Sequence, residues 1–458
     1  MYEDTQQLKE KYIDDLQNQK DNLKYLLRYQ NVEVSDNEGM ESMVNKVKTV
    51  EGTPVLPYYS FAYCESDTVR NMLKDINFAA AKKFSGMFLG WHNVDLSSVN
   101  TMNGEIFDNF IVTPGTSQSQ SLSVKFGKNN DFSKAKNMNS FIKSGTGSYG
   151  TEISMNLKDL KHQIIEGPLS LNGFFYGVRI EATWDKDHSR AENIMEFLNK
   201  FEFKHVTSLD NFFGYNYILK SSSETEEINY YSNVISGLFK NIETKYIKSA
   251  VSLFDYSDFD YLRFEPDYEK EWDELLTFNN WFNYYTRVTK IDLSKWKFKK
   301  INKWYDIAMW GEYLEEVHMG TNPNPTLTRI EDCFGWGRTH TADFSGWNFG
   351  GVNMMSRNFY NNTSYMQNLY WGYDQGKAYT SNEYDLQQYR LDFSSMYRLT
   401  RESALQIINS VYDLKKAYKD NNGTNSYSAQ RIKFHSSVKS LLTAEEIAIA
   451  TNKGWMVS

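Results

Sequence analysis

The chain has 458 residues, 40% hydrophobic and 24% charged, with a formal net charge of −8. That length exceeds what one ordinary core fills, and the acidic balance lacks the clustered positive face that phosphate backbones demand, so no nucleic-acid partner is expected. No apolar run approaches the roughly 18–20 residues of a bilayer span, and Met1-Tyr2-Glu3-Asp4 does not open a signal peptide, so neither a membrane nor an export route is expected. Aromatic residues are 16% of the chain, with 32 Tyr, 29 Phe and 11 Trp, a content that packing or a binding surface must absorb. Cys64 and Cys333 have neither metal spacing nor a disulfide framework and read as small buried hydrophobes.

In residues 1–50, Leu8, Tyr12, Leu16, Gln19, Leu23, Leu26 and Gln30 alternate at spacings of three and four. This predicts a helix with a narrow seam among Lys, Asp and Glu. Asn31 to Ser35 reads as a turn, Ser35-x-x-Glu38 has capping-box spacing, and Met40, Met43, Val44 and Val47 form the apolar face of a second helix. Two such helices cannot bury their stripes alone. They serve as a cap over the first repeat, as an attachment module carried by Leu16, Leu23 and Leu26, or as both.

Residues 51–254 read as an irregular repeat region. Asn137-Met138-Asn139-Ser140-Phe141, Ser170-Leu171-Asn172-Gly173-Phe174-Phe175 and Ser208-Leu209-Asp210-Asn211-Phe212-Phe213 each place a large apolar residue three before a Phe. Thr101-Met102-Asn103-Gly104-Glu105-Ile106-Phe107 is a looser copy. Measured from 141 to 175 and 175 to 213, the steps are 34 and 38 residues, stretched by insertions. Gly145-Thr146-Gly147-Ser148-Tyr149-Gly150 lacks the lysine of a phosphate loop and reads as a flexible connection.

Residues 255–398 carry a more regular frame. Val288-x-x-Ile291-x-Leu293 recurs as Leu314-x-x-Val317-x-Met319, Thr339-x-x-Ala342-x-Phe344, Met366-x-x-Leu369-x-Trp371 and, upstream, Phe259-x-x-Leu262-x-Phe264. With Asp292 as reference, equivalents fall at Arg263, His318, Asp343 and Tyr370, giving steps of 29, 26, 25 and 27 residues. These lie in the roughly 20–29-residue window of leucine-rich repeats, whose cores grow lengthwise by stacking. Residues 399–458 read as a terminal cap: a helix after the N-cap Thr400, a short strand Ile432-Lys433-Phe434, and a capping-box helix Leu442-Thr443-Ala444-Glu445-Glu446 closed by Gly454.

Ile291-Asp292-Leu293-Ser294-Lys295-Trp296 resembles the BspA-type leucine-rich repeats of bacterial surface and bacteriophage structural proteins. That family's unit runs Leu-x-x-Leu-Asp-Leu-Ser-x-Trp and ends Val-Thr-x-Met-x-x-Met-Phe. Asp343-Phe344-Ser345-Gly346-Trp347 and His205-Val206-Thr207-Ser208-Leu209-Asp210-Asn211-Phe212-Phe213 are close to it. His318 and Gly320 depart from its Asp and Ser, and Leu391-Asp392-Phe393-Ser394 lacks the following Trp. The C-terminal segment is similar to the last repeat of phage tail, baseplate and fibre proteins, and residues 1–50 to the N-terminal segment of such virion proteins. The resemblance implies an α+β repeat solenoid: leucine-rich-repeat coils with short parallel strands, preceded by the helical hairpin or coiled coil.

Candidate chemistry is sparse. His92, His162, His188, His205, His318, His340 and His435 lack metal-binding partners at the usual spacing, although His318 and His340 can meet across adjacent repeats. Between Asp255 and Glu274 lies the most acidic stretch, in which a calcium site is conceivable and a solvated loop is the simpler reading. Lys295, Lys297, Lys299, Lys300 and Lys303 read as a solvated face. Trp296 and Trp347 belong to the core, whereas Trp281, Tyr284, Trp310, Trp336, Tyr360 and Trp371 are candidate binding residues, because aromatic rings on a stacked surface suit sugars or a protein partner.

The function expected is therefore non-enzymatic and without a cofactor or metal. The resemblance implies a phage virion component, a head fibre, tail fibre or baseplate-associated protein made in the host cytoplasm. Residues 1–50 would join other virion proteins, and the repeats, as a homo-oligomer, would face a host cell-wall glycan, a surface protein or a neighbouring subunit. The alternatives are a bacterial surface adhesin of the same repeat class and a cell-wall polysaccharide depolymerase.

Overall fold

The computed structural model describes residues 33–39, 61–79, 81–114, 120–145, 151–179, 188–215, 217–219, 225–254, 256–259, 261–282, 287–308, 312–331, 333, 338–356, 365–377, 391–416 and 430–458, with positions 17, 20, 21, 24, 42 and 43. The chain divides into two compact units, Met1–Lys220 and Ser221–Ser458. Each unit consists of many short parallel strands in small sheets with few helices, an α+β arrangement of repeating character. Of the N-terminal helical pair little lies within the described residues. The Ser35 amide does donate to Glu38 Oε2 at 3.2 Å, one arm of the expected capping box, and Met43 is buried. Leu16, Leu23 and Leu26 lie outside the described residues.

In the second unit, strands Arg263–Phe264, Lys290–Asp292, Glu316–His318, Thr341–Asp343 and Asn368–Tyr370 pair in chain order. A second sheet joins Thr277–Asn279, Lys303–Tyr305, Arg329–Glu331 and Met354–Ser356. A third set pairs Lys270–Trp272 with Trp296–Phe298 and continues as bridges from Lys297 to Thr321, Asn322 to Trp347 and Asn348 to Tyr373. Each repeat thus contributes one strand or bridge to each of three sets. Period-two alternation turns Phe264, Ile291, Val317, Ala342 and Leu369 inward, and all five are buried.

The register confirms three of the expected steps: Asp292 pairs with His318, His318 with Asp343, and Asp343 with Tyr370. The first is corrected. Arg263 pairs with Lys290, a step of 27 residues, so the residue level with Asp292 is Glu265. A shift of two residues preserves which side chains point inward, so apolar spacing alone could not detect it.

In the first unit, Phe88–Leu89, Ile111–Val112, Ile142–Lys143 and Phe175–Tyr176 form one parallel sheet. Asn93–Asp95, Gln120–Lys125, Thr151–Asn156, Val178–Arg179 and Tyr217–Leu219 form another. Because Ile142 pairs with Phe175, the partner of Phe141 is Phe174, a step of 33 and not 34. The looser copy also moves. Ile111 pairs with Ile142, so the residues equivalent to Met138 and Phe141 are Phe107 and Phe110. The Phe141 and Phe174 rings stack at 5.4 Å and 7°, and Phe174 and Phe212 at 5.8 Å and 10°. This ladder takes up much of the aromatic content.

One corner recurs through both units. Gly86, Asn109, Ser140, Gly173 and Asn211 occupy one level of the first unit, and all have positive φ between 47° and 61°, as do Ser252, Asn280 and Asp306 in the second. At all of these but Asn211, the N–H donates to the next repeat's carbonyl, for example Gly173 to Asp210 at 2.7 Å and Asn280 to Tyr305 at 3.3 Å. Gly and Asn dominate because left-handed backbone costs other L-residues roughly 1–2 kcal/mol. A second local motif accounts for Asp-x-Ser: Asp95, Asp131, Asp292, Asp343 and Asp392 each accept the amide of the serine two residues on at 2.9–3.0 Å. At Gly320, which replaces that serine, φ is 72°, and an added Cβ would stand 2.4 Å from the Trp296 carbonyl oxygen, so only glycine fits.

Helices close the sheet edges. Helix α1 (Asp67–Leu73) follows Glu65, whose carboxylate accepts the amides of His92 and Asn93, capping strand Asn93–Asp95. Helix α2 (Ser189–Asn199) offers the Asn193 side chain to the Met155 amide at 2.7 Å. In the second unit, helix α3 (Thr225–Gly237) lies along the first strand of the five, where Ser232 Oγ accepts the Arg263 amide at 2.9 Å and Ser236 Oγ the Glu265 amide at 2.8 Å. Helix α4 (Arg401–Ser410), capped by Thr400 as its sequence predicts, closes the last. There Ser403 Oγ accepts the Leu369 amide at 2.9 Å, and Gln406 accepts from the Trp371 amide and donates to its carbonyl at 2.6 and 2.7 Å. Short helix α5 (Ser436–Lys439) and the capping-box helix α6 (Ala444–Asn452) flank a final parallel sheet of Leu391–Phe393, Gln430–Phe434 and Trp455–Val457.

Candidate binding face

The outward side of the five-stranded sheet in the second unit is the most regularly built surface. Residues alternating with the buried row stand in two lines. One holds Arg263, Lys290, Glu316, Thr341 and Asn368, and the other Glu265, Asp292, His318, Asp343 and Tyr370. Charges interlock across them. Lys290 Nζ lies 2.8 Å from Glu265, 3.8 Å from Asp292 and 3.4 Å from Glu316. His318 lies 3.9 Å from Glu316 and 3.8 Å from Asp343. Partial burial opposes the charge on Lys290, yet Glu265 and the surrounding carboxylates hold its ammonium above its ordinary pKa. The Asp343 carboxylate raises the imidazole pKa of His318 against partial burial. For Asp343 itself, burial is outweighed by His318 and Ser345, and its carboxyl is held below the usual carboxylate range.

This arrangement bears on catalysis. A glycosidase needs one carboxyl that stays protonated to serve as general acid. Asp292 and Asp343 flank His318 on alternate strands, but both are engaged in Asp-x-Ser turns, and Asp343 is shifted toward ionisation.

The acidic stretch and the lysine run prove to be one feature. Lys297 pairs with Glu269 at 3.2 Å, Lys299 with Asp273 at 2.8 Å and Lys300 with Glu274 at 2.7 Å, while Lys303 reaches Glu331 at 3.1 Å. Lysines of one repeat thus sit opposite acids of its neighbours, a relation invisible without the register. Among the described residues, no group of three or more His, Cys, Asp or Glu is placed to hold a metal ion. His318 faces Asp343 and not His340, whose amide bonds the Glu315 carbonyl. Cys64 and Cys333 are both buried, as expected.

Two of the aromatic binding candidates are core residues. Trp281 is 1% exposed, with Nε1 donating to the Ala250 carbonyl at 2.6 Å and its ring 4.6 Å from Phe278. Trp371 is 3% exposed, against Phe349 and Phe393. Trp281 directly follows the positive-φ corner at Asn280, which turns its ring inward, and Trp371 holds the inward position after strand Asn368–Tyr370. Trp296 and Trp347 are fully buried, as expected. Tyr284, Trp310, Trp336 and Tyr360 lie outside the described residues.

Sequence reasoning missed a row that precedes the strands, in which Arg338 and Tyr365 are exposed and Arg287 and Tyr313 half-buried. Arg287, Tyr313, Arg338 and Tyr365 each stand two residues before Thr289, Glu315, His340 and Gln367, which are linked from repeat to repeat by backbone bonds of 2.8–2.9 Å. Tyr261 leans on Tyr313 with centroids 5.1 Å apart, and the Arg287 guanidinium lies 5.8 Å from the Tyr313 ring. The signal was the alternation Arg-Tyr-Arg-Tyr five residues before Asp292, His318, Asp343 and Tyr370, legible in the repeat frame of the sequence itself.

No family model, no curated protein and no solved structure matches the chain. Among the described residues, no helix is long and apolar enough to cross a membrane.

Proposed function

We propose that the chain is a non-enzymatic bacteriophage virion protein, a head fibre, tail fibre or baseplate-associated component, whose two units are leucine-rich-repeat solenoids. Residues 1–50 attach it to other virion proteins, and the repeats present a surface to the host envelope or to neighbouring subunits, as a homo-oligomer. The observation that carries the reading is the five-stranded sheet of the second unit. Its strands recur at 25–27 residues in register, with α3 and α4 closing its two edges by side-chain hydrogen bonds. Such closure removes the edges on which strands aggregate and leaves the outward face as the surface available for recognition. The repeated Asp-x-Ser turns and positive-φ corners support the leucine-rich-repeat assignment, because they are the family's motif residues acting as structural devices.

The test is particle incorporation. The full chain and a variant lacking residues 1–50 are produced during infection, and purified particles are probed by mass spectrometry. The full chain is expected in particles and the truncated one only in the soluble fraction. Equal incorporation of both removes the attachment role, and absence of both removes the virion assignment.

A further inference from the structure

We propose that the row Arg287, Tyr313, Arg338 and Tyr365, with Tyr261 at its head, is a binding line for an extended, uncharged polysaccharide. This rests on the reading of the repeats as a binding surface and names its ligand class.

Arg287, Tyr313, Arg338 and Tyr365 run along the repeat axis at a single level, so their side chains recur at the strand spacing of about 4.8 Å, while Tyr261, level with Val288, reaches the row through its ring. Tyr261 and Tyr313 make one aromatic platform, their rings 5.1 Å apart at 77°, and Tyr365 lies two repeats beyond Tyr313, about 10 Å along the axis. Tyr261 is 40% exposed and Tyr365 41% exposed, so both rings reach solvent. Two apolar stacking positions separated by roughly the length of a disaccharide suit alternate sugars of an extended chain.

The polar groups fit the same ligand. Arg338 stands exposed between the two platforms, and the adjacent level offers Thr289, Glu315, His340 and Gln367. Donors and acceptors therefore alternate beside a narrow apolar line, the pattern that sugar hydroxyls require, since each hydroxyl both donates and accepts. Charge selects against other occupants. Glu312, Glu315 and Glu316 are interspersed with the arginines in a chain of net charge −8, so a polyanion meets as much repulsion as attraction. A protein partner would call for a wider apolar centre than a line one residue across.

The experiment measures retention of the full chain on chitin and on cellulose, both neutral β-linked polymers, and on cross-linked polygalacturonate, with binding to bacterial cell envelopes assayed in parallel. Retention on a neutral polymer is expected. Tyr313→Ala/Tyr365→Ala should weaken it on the order of tenfold or more, the loss typical of central aromatic anchors. Tyr365→Ala alone, at an exposed position that does not threaten folding, should weaken it severalfold, whereas Tyr397→Ala, an exposed tyrosine outside the row, should leave it unchanged. Thermal melts of the variants verify folding. The proposal is overturned if neither neutral polymer retains the protein, if retention is confined to polygalacturonate, or if the tyrosine variants bind as the parent does. Envelope binding that persists in the double variant would sink the line while leaving the surface-binding reading intact, and a parent chain that binds no envelope would sink both.

Discussion

The corner at Gly173 gives a sharp test of the repeat geometry. Its φ of 60° matches that of Asn109, Ser140 and Asn211 at the same level, and its N–H donates to the Asp210 carbonyl at 2.7 Å. A Cβ added there would stand 3.3 Å from Ser140 Oγ and 3.7 Å from Tyr176 Cβ, close but tolerable because the nearer atom can rotate. Gly173→Asn places at this corner the residue its neighbours already use, and a cost below about 1 kcal/mol is expected. Gly173→Val forces a β-branched residue into the left-handed region, with the full penalty of roughly 1–2 kcal/mol plus crowding at Cγ, about 2–4 kcal/mol in all. Urea unfolding followed by far-ultraviolet circular dichroism measures both. Equal stabilities for Asn and Val would refute the argument that this repeated corner requires left-handed backbone, as would a Gly173→Asn chain that fails to fold.

Two further outcomes follow from the same structure. Gln406→Ala removes both side-chain bonds to the Trp371 backbone and should destabilise by roughly 1–3 kcal/mol, with concentration-dependent association through the uncovered edge seen by light scattering; a monodisperse, equally stable variant would contradict the capping role. For His318, the folded-state pKa is raised, so the folded protein holds its proton more tightly than the unfolded chain. Its contribution is then fully present below the unfolded pKa of about 6.5 and is lost as pH rises through the higher folded value. The melting-temperature difference between the parent and His318→Gln should therefore shrink from pH 6 toward pH 8, and a difference that grows over this window reverses the sign and the reasoning.

Much of the fold was legible in local chemistry. The Thr400 and Thr443 caps and the inward apolar positions are set by residues within four positions of one another, and they stand where the sequence placed them. Relations between repeats were less accessible. The two-residue shift at Arg263 and the pairing of Lys297, Lys299 and Lys300 with Glu269, Asp273 and Glu274 depend on register, which period-two alternation leaves degenerate. The candidate site was harder still. Ring size nominated Trp281 and Trp371, yet large rings are what a wide core absorbs, and the row before the strands is made of tyrosine and arginine, whose polar tips tolerate water.

Mass spectrometry of density-gradient-purified particles decides whether this chain is, as proposed, a structural part of a virus particle. Peptides from both units are expected at a fixed stoichiometry to the major capsid protein, lost when residues 1–50 are deleted. A chain that is abundant in infected-cell lysate but absent from purified particles would contradict it.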